Sequence, residues 1–215
     1  MSFWDYLSDR RDLLLFLSYQ HLSMVVQCLI AATVIAVVVA SLIYRNSKLV
    51  GLAAASSAVG LTLPSLALLA VLVAIMGIGV WPSVVTLAFY AFLVILRNAV
   101  VGLAGVDATL VDSARGMGMS RLSILSRVEI PMAWPVIMGG IRVSAQMIMG
   151  VGAIAAYVGG PGLGGEIFSG LSRIGGANAL NSAIAGALGI AVLALLLDLA
   201  LVGVSRLTTS RGIRV

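Results

Sequence analysis

The sequence predicts an all-α integral membrane protein with five transmembrane helices, its N-terminus outside and its C-terminus inside. Three observations predict it. Of the 215 residues, 61% are hydrophobic and only 10% are charged, whereas a soluble domain carries about 25% charged residues. The apolar residues fall in long uninterrupted runs, each enough for a helix across a bilayer. The basic residues collect on alternate connections, the bias that fixes orientation in a membrane.

Residues 1–21, MSFWDYLSDRRDLLLFLSYQH, alternate charged and apolar positions and lack the basic start and unbroken apolar core of a cleavable signal. They are expected to form an amphipathic lead-in at the membrane surface, anchored by Phe3, Trp4 and Tyr6. From Leu22 to Tyr44 there is no charge, and Arg45 and Lys48 close the first span, 22–44. The uncharged run from Leu49 to Leu96 is too long for one helix and is punctuated by Gly77, Gly79 and Pro82. Two crossings, 50–76 and 82–104, follow from it, with Trp81 at an interface and a kink at Pro64. A fourth, 134–158, is interrupted only by Arg142, and a fifth, 180–204, contains Asp198. The membrane domain thus covers 22–206, and 207–215 forms a cytoplasmic tail.

With the N-terminus outside, the inner side receives Arg45, Lys48, Arg115, Arg121, Arg127, Arg206, Arg211 and Arg214, and the outer side only Arg10, Arg11 and Arg173. The net charge of +5 does not indicate nucleic acid, because the basic residues are scattered and only 6% of residues are aromatic. The single histidine, His21, offers no metal cluster, and the single Cys28, inside an apolar run, reads as a small hydrophobe.

The one sizeable polar connection is 105–131, GVDATLVDSARGMGMSRLSILSRVEIP. Asp107 is placed to cap a short helix from Ala108, Gly116 and Gly118 to break it, and Ser120 to cap a second helix running to Ile130, before Pro131. Leu122, Leu125 and Val128 give that second helix an apolar side. Taken alone, such a segment is equally a solvated connector.

Its spacing is more specific. Asp112-Ser113-Ala114, then Gly118, then Val128-Glu129-Ile130-Pro131 resembles the EAA loop of binding-protein-dependent ABC importer permeases: Glu-Ala-Ala, three residues, Gly, nine residues, Ile-x-Leu-Pro. Asp112, Ser113, Val128 and Ile130 depart from that pattern conservatively. Further blocks extend the resemblance over nearly the whole chain. Pro64-Ser65-Leu66-Ala67-Leu68, Ile95-Leu96-Arg97-Asn98, Gly116-Met117-Gly118-Met119, Pro135 to Arg142 and Gly159 to Gly164 look like the quaternary-ammonium osmoprotectant branch. Val94 departs, standing where many relatives carry Pro.

The resemblance implies a type I ABC importer permease in a bacterial cytoplasmic membrane, moving glycine betaine, choline or carnitine by alternating access. It implies as partners two copies of a cytoplasmic ATPase, a second permease (the same chain or a sister) and an extracytoplasmic binding protein. No cofactor is expected in this chain, since Lys48, the only lysine, lies in no phosphate-binding motif; Mg-ATP belongs to the ATPase. Asp112, Ser113, Ala114, Arg115, Gly116, Met117, Gly118, Met119, Arg121 and Pro131 are the expected ATPase-coupling residues. Gly118 suits a tight turn with positive φ, while Ala114 and the methionines supply small and adaptable apolar contact. The loop arginines either pair with carboxylates of the ATPase or simply follow the positive-inside bias.

Within the membrane, Arg97 and Arg142 are expected near the cytoplasmic ends of their helices as anchors or ion-pair members, and Asp198 as a partner for one of them. Gly139, Arg142, Gln146, Gly150, Ala153 and Tyr157 recur at three- and four-residue steps. That stripe suits a pathway or subunit interface, and equally ordinary small-residue helix packing. Ser57, Gly60 and Pro64 form a comparable face, and Asn98 is a further candidate. The run 159–165, GGPGLGG, is expected as a turn or short helix at the external mouth, a gate, a contact for the binding protein or a plain loop.

The alternatives within transport are an importer of another small solute, such as an amino acid or a thiol-containing betaine. A proton- or sodium-coupled carrier needs ionisable groups near the midplane, which are scarce. A scaffold has no use for EAA spacing, and an intramembrane enzyme has little chemistry to draw on.

Overall fold

The computed structural model describes residues 1–209, and every regular element among them is helical. Residues 210–215, with Arg211 and Arg214 of the orientation count and most of the expected tail, lie outside the described residues.

Helix α1, Phe3–Asp9, is closed by a capping box in which Ser2 and Asp5 satisfy each other's backbone amides. Helix α2 then runs unbroken from Arg11 to Ile43. The expected start at Leu22 is corrected: no residue between Arg11 and Ile43 breaks a helix, so the second half of the lead-in is the first turns of the span. At 33 residues α2 is about 50 Å long, more than the ~30 Å hydrocarbon core needs, so its outer turns extend into the interface. Tyr6 is also corrected. It is buried and donates to Glu166, whereas Trp4 is exposed as an anchor would be.

The second span is broken rather than kinked. Helix α3, Ser47–Thr62, meets α4, Ser65–Met76, at 91°. Pro64 removes an amide and forces Leu63 into an extended conformation (ψ 128°), which ends α3. The Leu63 carbonyl freed at the break accepts a hydrogen bond from the Tyr90 hydroxyl, so the exposed backbone is satisfied inside the membrane.

Helix α5, Val80–Ala104, begins two residues before the expected boundary and is the enclosed centre of the bundle, packed by α2, α3, α4 and α8. Within the loop, α6 spans Ala108–Gly116 and α7 spans Arg121–Ile124. The second loop helix does not stop at Pro131 as expected. A π-helical turn, Leu125–Glu129, leads directly into α8, Ile130–Ala155. The wider turn, closed by the Ile130 amide on the Leu125 carbonyl, takes up the strain that Pro131 would impose on a continuous α-helix. Of the expected apolar side, Leu125 and Val128 are half-buried and Leu122 is exposed, while Ile124 is the fully buried apolar residue there.

After a 3-10 turn, Ala156–Val158, and the glycine-rich bend, α9 spans Gly164–Ser172 and α10 spans Ala179–Thr208. The run 159–165 is therefore a turn opening a short helix. Among the described residues, four helices are long and apolar enough to cross a membrane, and the bent pair α3–α4, counted as one span, brings the number to five.

Two poles result. At one, Tyr44 and Arg45 meet Glu129, and Trp134 Nε1 donates to Thr208 Oγ1 at 2.7 Å. At the other, α1 meets α9 and α10, and the Gly79 amide donates to the Val158 carbonyl. The basic residues of the loop and of the ends of α2 and α10 gather at the first pole, which is thereby the cytoplasmic one.

Candidate functional site

The loop between α5 and α8 is built as its residue types require. Asp107 Oδ1 accepts from the Thr109 amide at 2.8 Å and caps α6, and that bond holds the Asp107 carboxyl below the usual carboxylate range. Gly118 turns the chain with φ +81°, a conformation that disfavours any side chain, and nothing lies within 4 Å of where a Cβ would stand. Gly116, by contrast, is the last helical residue of α6 and breaks nothing. Ser120 Oγ then accepts from the Ser123 amide at 3.3 Å and starts α7.

This arrangement leaves Asp112, Ser113, Arg115, Gly116, Met117, Gly118 and Arg121 exposed at the cytoplasmic tip, with Leu122 beside them. Met119 is partly covered and Pro131, also exposed, sits farther along α8. Asp112 and Arg115 pair at 2.9 Å, but both side chains are well exposed, so the pair adds little stability. Ala114 is corrected: at 2% exposure it is buried in α6, which packs on α7 and the π-helical turn, rather than offering contact outward.

The residue missing from the sequence-based set is Glu129. It is buried, accepts from the Tyr44 hydroxyl at 2.6 Å, and takes Arg45 Nη2 on both oxygens at 3.0 and 3.1 Å. The Arg45 Nε in turn donates to the Tyr44 hydroxyl. Glu129 sits on the π-helical turn, so this cluster ties the loop and the root of α8 to the end of α2. An acid at an otherwise apolar helix position was the one available signal, but its partners lie 84 and 85 residues away.

Inside the membrane, Arg142 and Asp198 form a two-bond pair, Nε to Oδ1 at 2.8 Å and Nη2 to Oδ2 at 2.9 Å, joining α8 to α10. Arg97 is exposed and takes no part in it. Asn98 donates to its own helix at the Val94 carbonyl and packs on Gly140, where any Cβ would stand 2.6 Å from its side chain. Val94 itself lies in an unbroken stretch of α5.

Much of the stripe along α8 and the following 3-10 turn stays open within the chain, although Arg142 is held by Asp198 and Tyr157 lies against Phe168. Gly139, Gln146, Gly150 and Tyr157 are exposed, Arg142 and Ala153 partly so, and nothing approaches the open sides of Gly139 and Gly150. The face on α3 behaves differently. Ser57 is fully buried and Gly60 abuts Leu93 and Phe89 of α5, so these two pack helices rather than line a pathway. Pro64 is exposed at the break.

At the outer pole, Glu166 of α9 is buried and receives the Tyr6 hydroxyl at 2.7 Å, Arg10 at 3.0 Å and Ser182 at 2.8 Å. His21 is fully buried, with Nε2 3.1 Å from the Met149 carbonyl and its other edge against the bend at Gly162. Among the described residues, no group of His, Cys, Asp and Glu could hold a metal ion.

Comparison with known proteins bears on this arrangement. Residues 32–209 match the family described as binding-protein-dependent transport system inner membrane component. The carnitine transport permease protein OpuCB of Listeria monocytogenes is 36% identical over 94% of this chain and 90% of its own length. The choline transport system permease protein OpuBB of Bacillus subtilis is 35% identical over 94% and 91%. The osmoprotectant import permease protein OsmW of Salmonella typhimurium is 37% identical over 97% and 98%. Among solved structures, the MetNI methionine ABC transporter in an inward-facing conformation superposes with TM-score 0.80, at 22% identity, over 94% of this chain and 99% of that one. That likeness establishes the fold, a type I importer permease.

Proposed function

This chain belongs to the family of binding-protein-dependent transport system inner membrane components, and from that premise we propose that it is the permease subunit of an ATP-driven importer for small quaternary-ammonium osmoprotectants. The substrate class rests on relatives that align along nine-tenths or more of both chains and are named for carnitine, choline and osmoprotectant transport.

The observation that carries the mechanism is the exposed two-helix tip that is continuous with a membrane span. Because α7 passes through the π-helical turn into α8, a push on the tip moves α8 as a lever. Because Glu129 holds Tyr44 and Arg45, the end of α2 moves with it. A cytoplasmic ATPase docks on the tip, binds Mg-ATP and hydrolyses it. Two ATPases closing together drive two permeases, copies of this chain or of a sister, between inward-open and outward-open states. The exposed stripe of α8 lies at the seam between the permeases and borders the pathway. An extracytoplasmic binding protein delivers the solute to the outer pole, where α1, α9 and α10 are fastened together.

The test is uptake by vesicles holding this chain with its ATPase and binding protein. ATP-dependent accumulation of labelled glycine betaine, carnitine or choline is the expected result. Hydrolysis without accumulation of any of the three would refute the substrate class, and failure to assemble with the ATPase would refute the importer.

A further inference from the structure

Arg97 is an intramembrane cation with no counter-charge beside it among the described residues. It lies seven residues before the end of α5, about 10 Å along the axis, is exposed, and has no hydrogen-bonding or ion-pairing partner among the described residues. The chain has eight acidic residues. Asp198 is the one within a straight span, and both its oxygens hold Arg142. Glu129 and Glu166 are each saturated at a pole, and the other acids lie on the N-terminal segment or the cytoplasmic loop. A second copy of this chain therefore brings no free carboxylate to that depth either. Facing hydrocarbon is costly for a guanidinium.

Helix geometry says which way it faces. The antiparallel helices α5 and α8 touch where Asn98 meets Gly140, and Arg97 and Gly139 each stand one position before that contact. One step back on two antiparallel right-handed helices turns both residues to the same side of the seam. Arg97 thus shares a face with the open stripe of Gly139, Gln146 and Gly150.

Building on the function proposed above, we propose that Arg97 projects into the inward half of the solute pathway and binds the carboxylate of a zwitterionic quaternary-ammonium solute. A guanidinium offers a carboxylate two parallel hydrogen bonds and offers a methylated ammonium none. Glycine betaine and carnitine carry that carboxylate; choline, with only a hydroxyl, does not.

The test has two arms, both on the assembled transporter. In uptake, Arg97→Gln should lower glycine betaine and carnitine transport about tenfold relative to choline, with Arg97→Lys between. An equal change for all three solutes, or none, overturns the carboxylate contact. In labelling, Arg97→Cys combined with Cys28→Ala should react with a membrane-impermeant maleimide from the cytoplasmic side. Reaction only with a lipid-soluble reagent overturns the placement. A wild-type complex that moves none of the three solutes refutes the substrate class and the carboxylate contact with it, while the labelling still decides whether Arg97 faces water.

Discussion

Glu129 and Arg45, 84 residues apart in sequence, are joined by two hydrogen bonds of 3.0 and 3.1 Å at the cytoplasmic end of the bundle, where α2 meets the turn leading into α8. The carboxylate is buried and the guanidinium is 41% exposed, so the two ends of the pair respond differently to loss of the other. Arg45 freed of its partner can turn to water. Glu129 freed of Arg45 stays buried with one neutral donor, Tyr44.

Removal of Arg45 is therefore the more damaging change. Arg45→Ala should lower stability by about 2–3 kcal/mol and Glu129→Gln by about 1–2 kcal/mol, since hydrogen bonds to charged groups contribute about 1.5–3 kcal/mol. Thermal unfolding of the purified complex measures both. If the pair also transmits motion, solute moved per ATP hydrolysed should fall in Glu129→Gln even where folded protein is restored to wild-type amounts.

The Arg142–Asp198 pair makes a different prediction because it lies within the spans α8 and α10 rather than at a pole. Asp198→Asn leaves a cation in a span with no counter-ion, a cost of about 2.5–3.5 kcal/mol on insertion scales. Arg142→Gln with Asp198→Asn should recover much of that loss. The yield of folded membrane protein from the single and double variants checks it, and a double variant no better than the single one would show that charge balance is not the pair's role.

The break at Pro64 is held open by Tyr90. Tyr90→Phe keeps the ring but orphans the Leu63 carbonyl, which should cost about 1–3 kcal/mol. Hydrogen exchange should rise at the start of α4 and leave α10 unchanged.

Glu166→Ala should release α1, because the carboxylate is the common acceptor of Tyr6, Arg10 and Ser182. Proteolysis near residues 3–9 becomes faster, while Glu166→Gln, which retains acceptors for Tyr6 and Ser182, falls between.

The spans themselves were legible in the sequence, since lipid demands long apolar helices and little else satisfies the backbone. The cap at Asp107 and the turn at Gly118 were legible for the same local reason. What the sequence hid were pairings at a distance. Nothing local connects Glu129 to Tyr44, or Glu166 to Tyr6, and without those contacts the lead-in and the loop read as free surface segments. The start of α2 differs because the alternating charged and apolar positions of 1–21 read as a surface lead-in, although His21 is in fact packed against α8 and the glycine-rich bend. Pro131 read as a stop because the π-helical turn that accommodates it has no composition signature.

The most direct measurement of coupling is ATP hydrolysis and solute uptake in the same vesicles with Gly118→Asp. Nothing lies within 4 Å of where a Cβ would stand, and the φ of +81° penalises a side chain locally, so the variant should insert and fold while its tip no longer seats in the ATPase. Uptake should fall by at least about tenfold, the effect of losing roughly 1.4 kcal/mol of docking, with membrane insertion unchanged. Normal uptake at wild-type rates of hydrolysis would contradict the assignment of this loop as the coupling element.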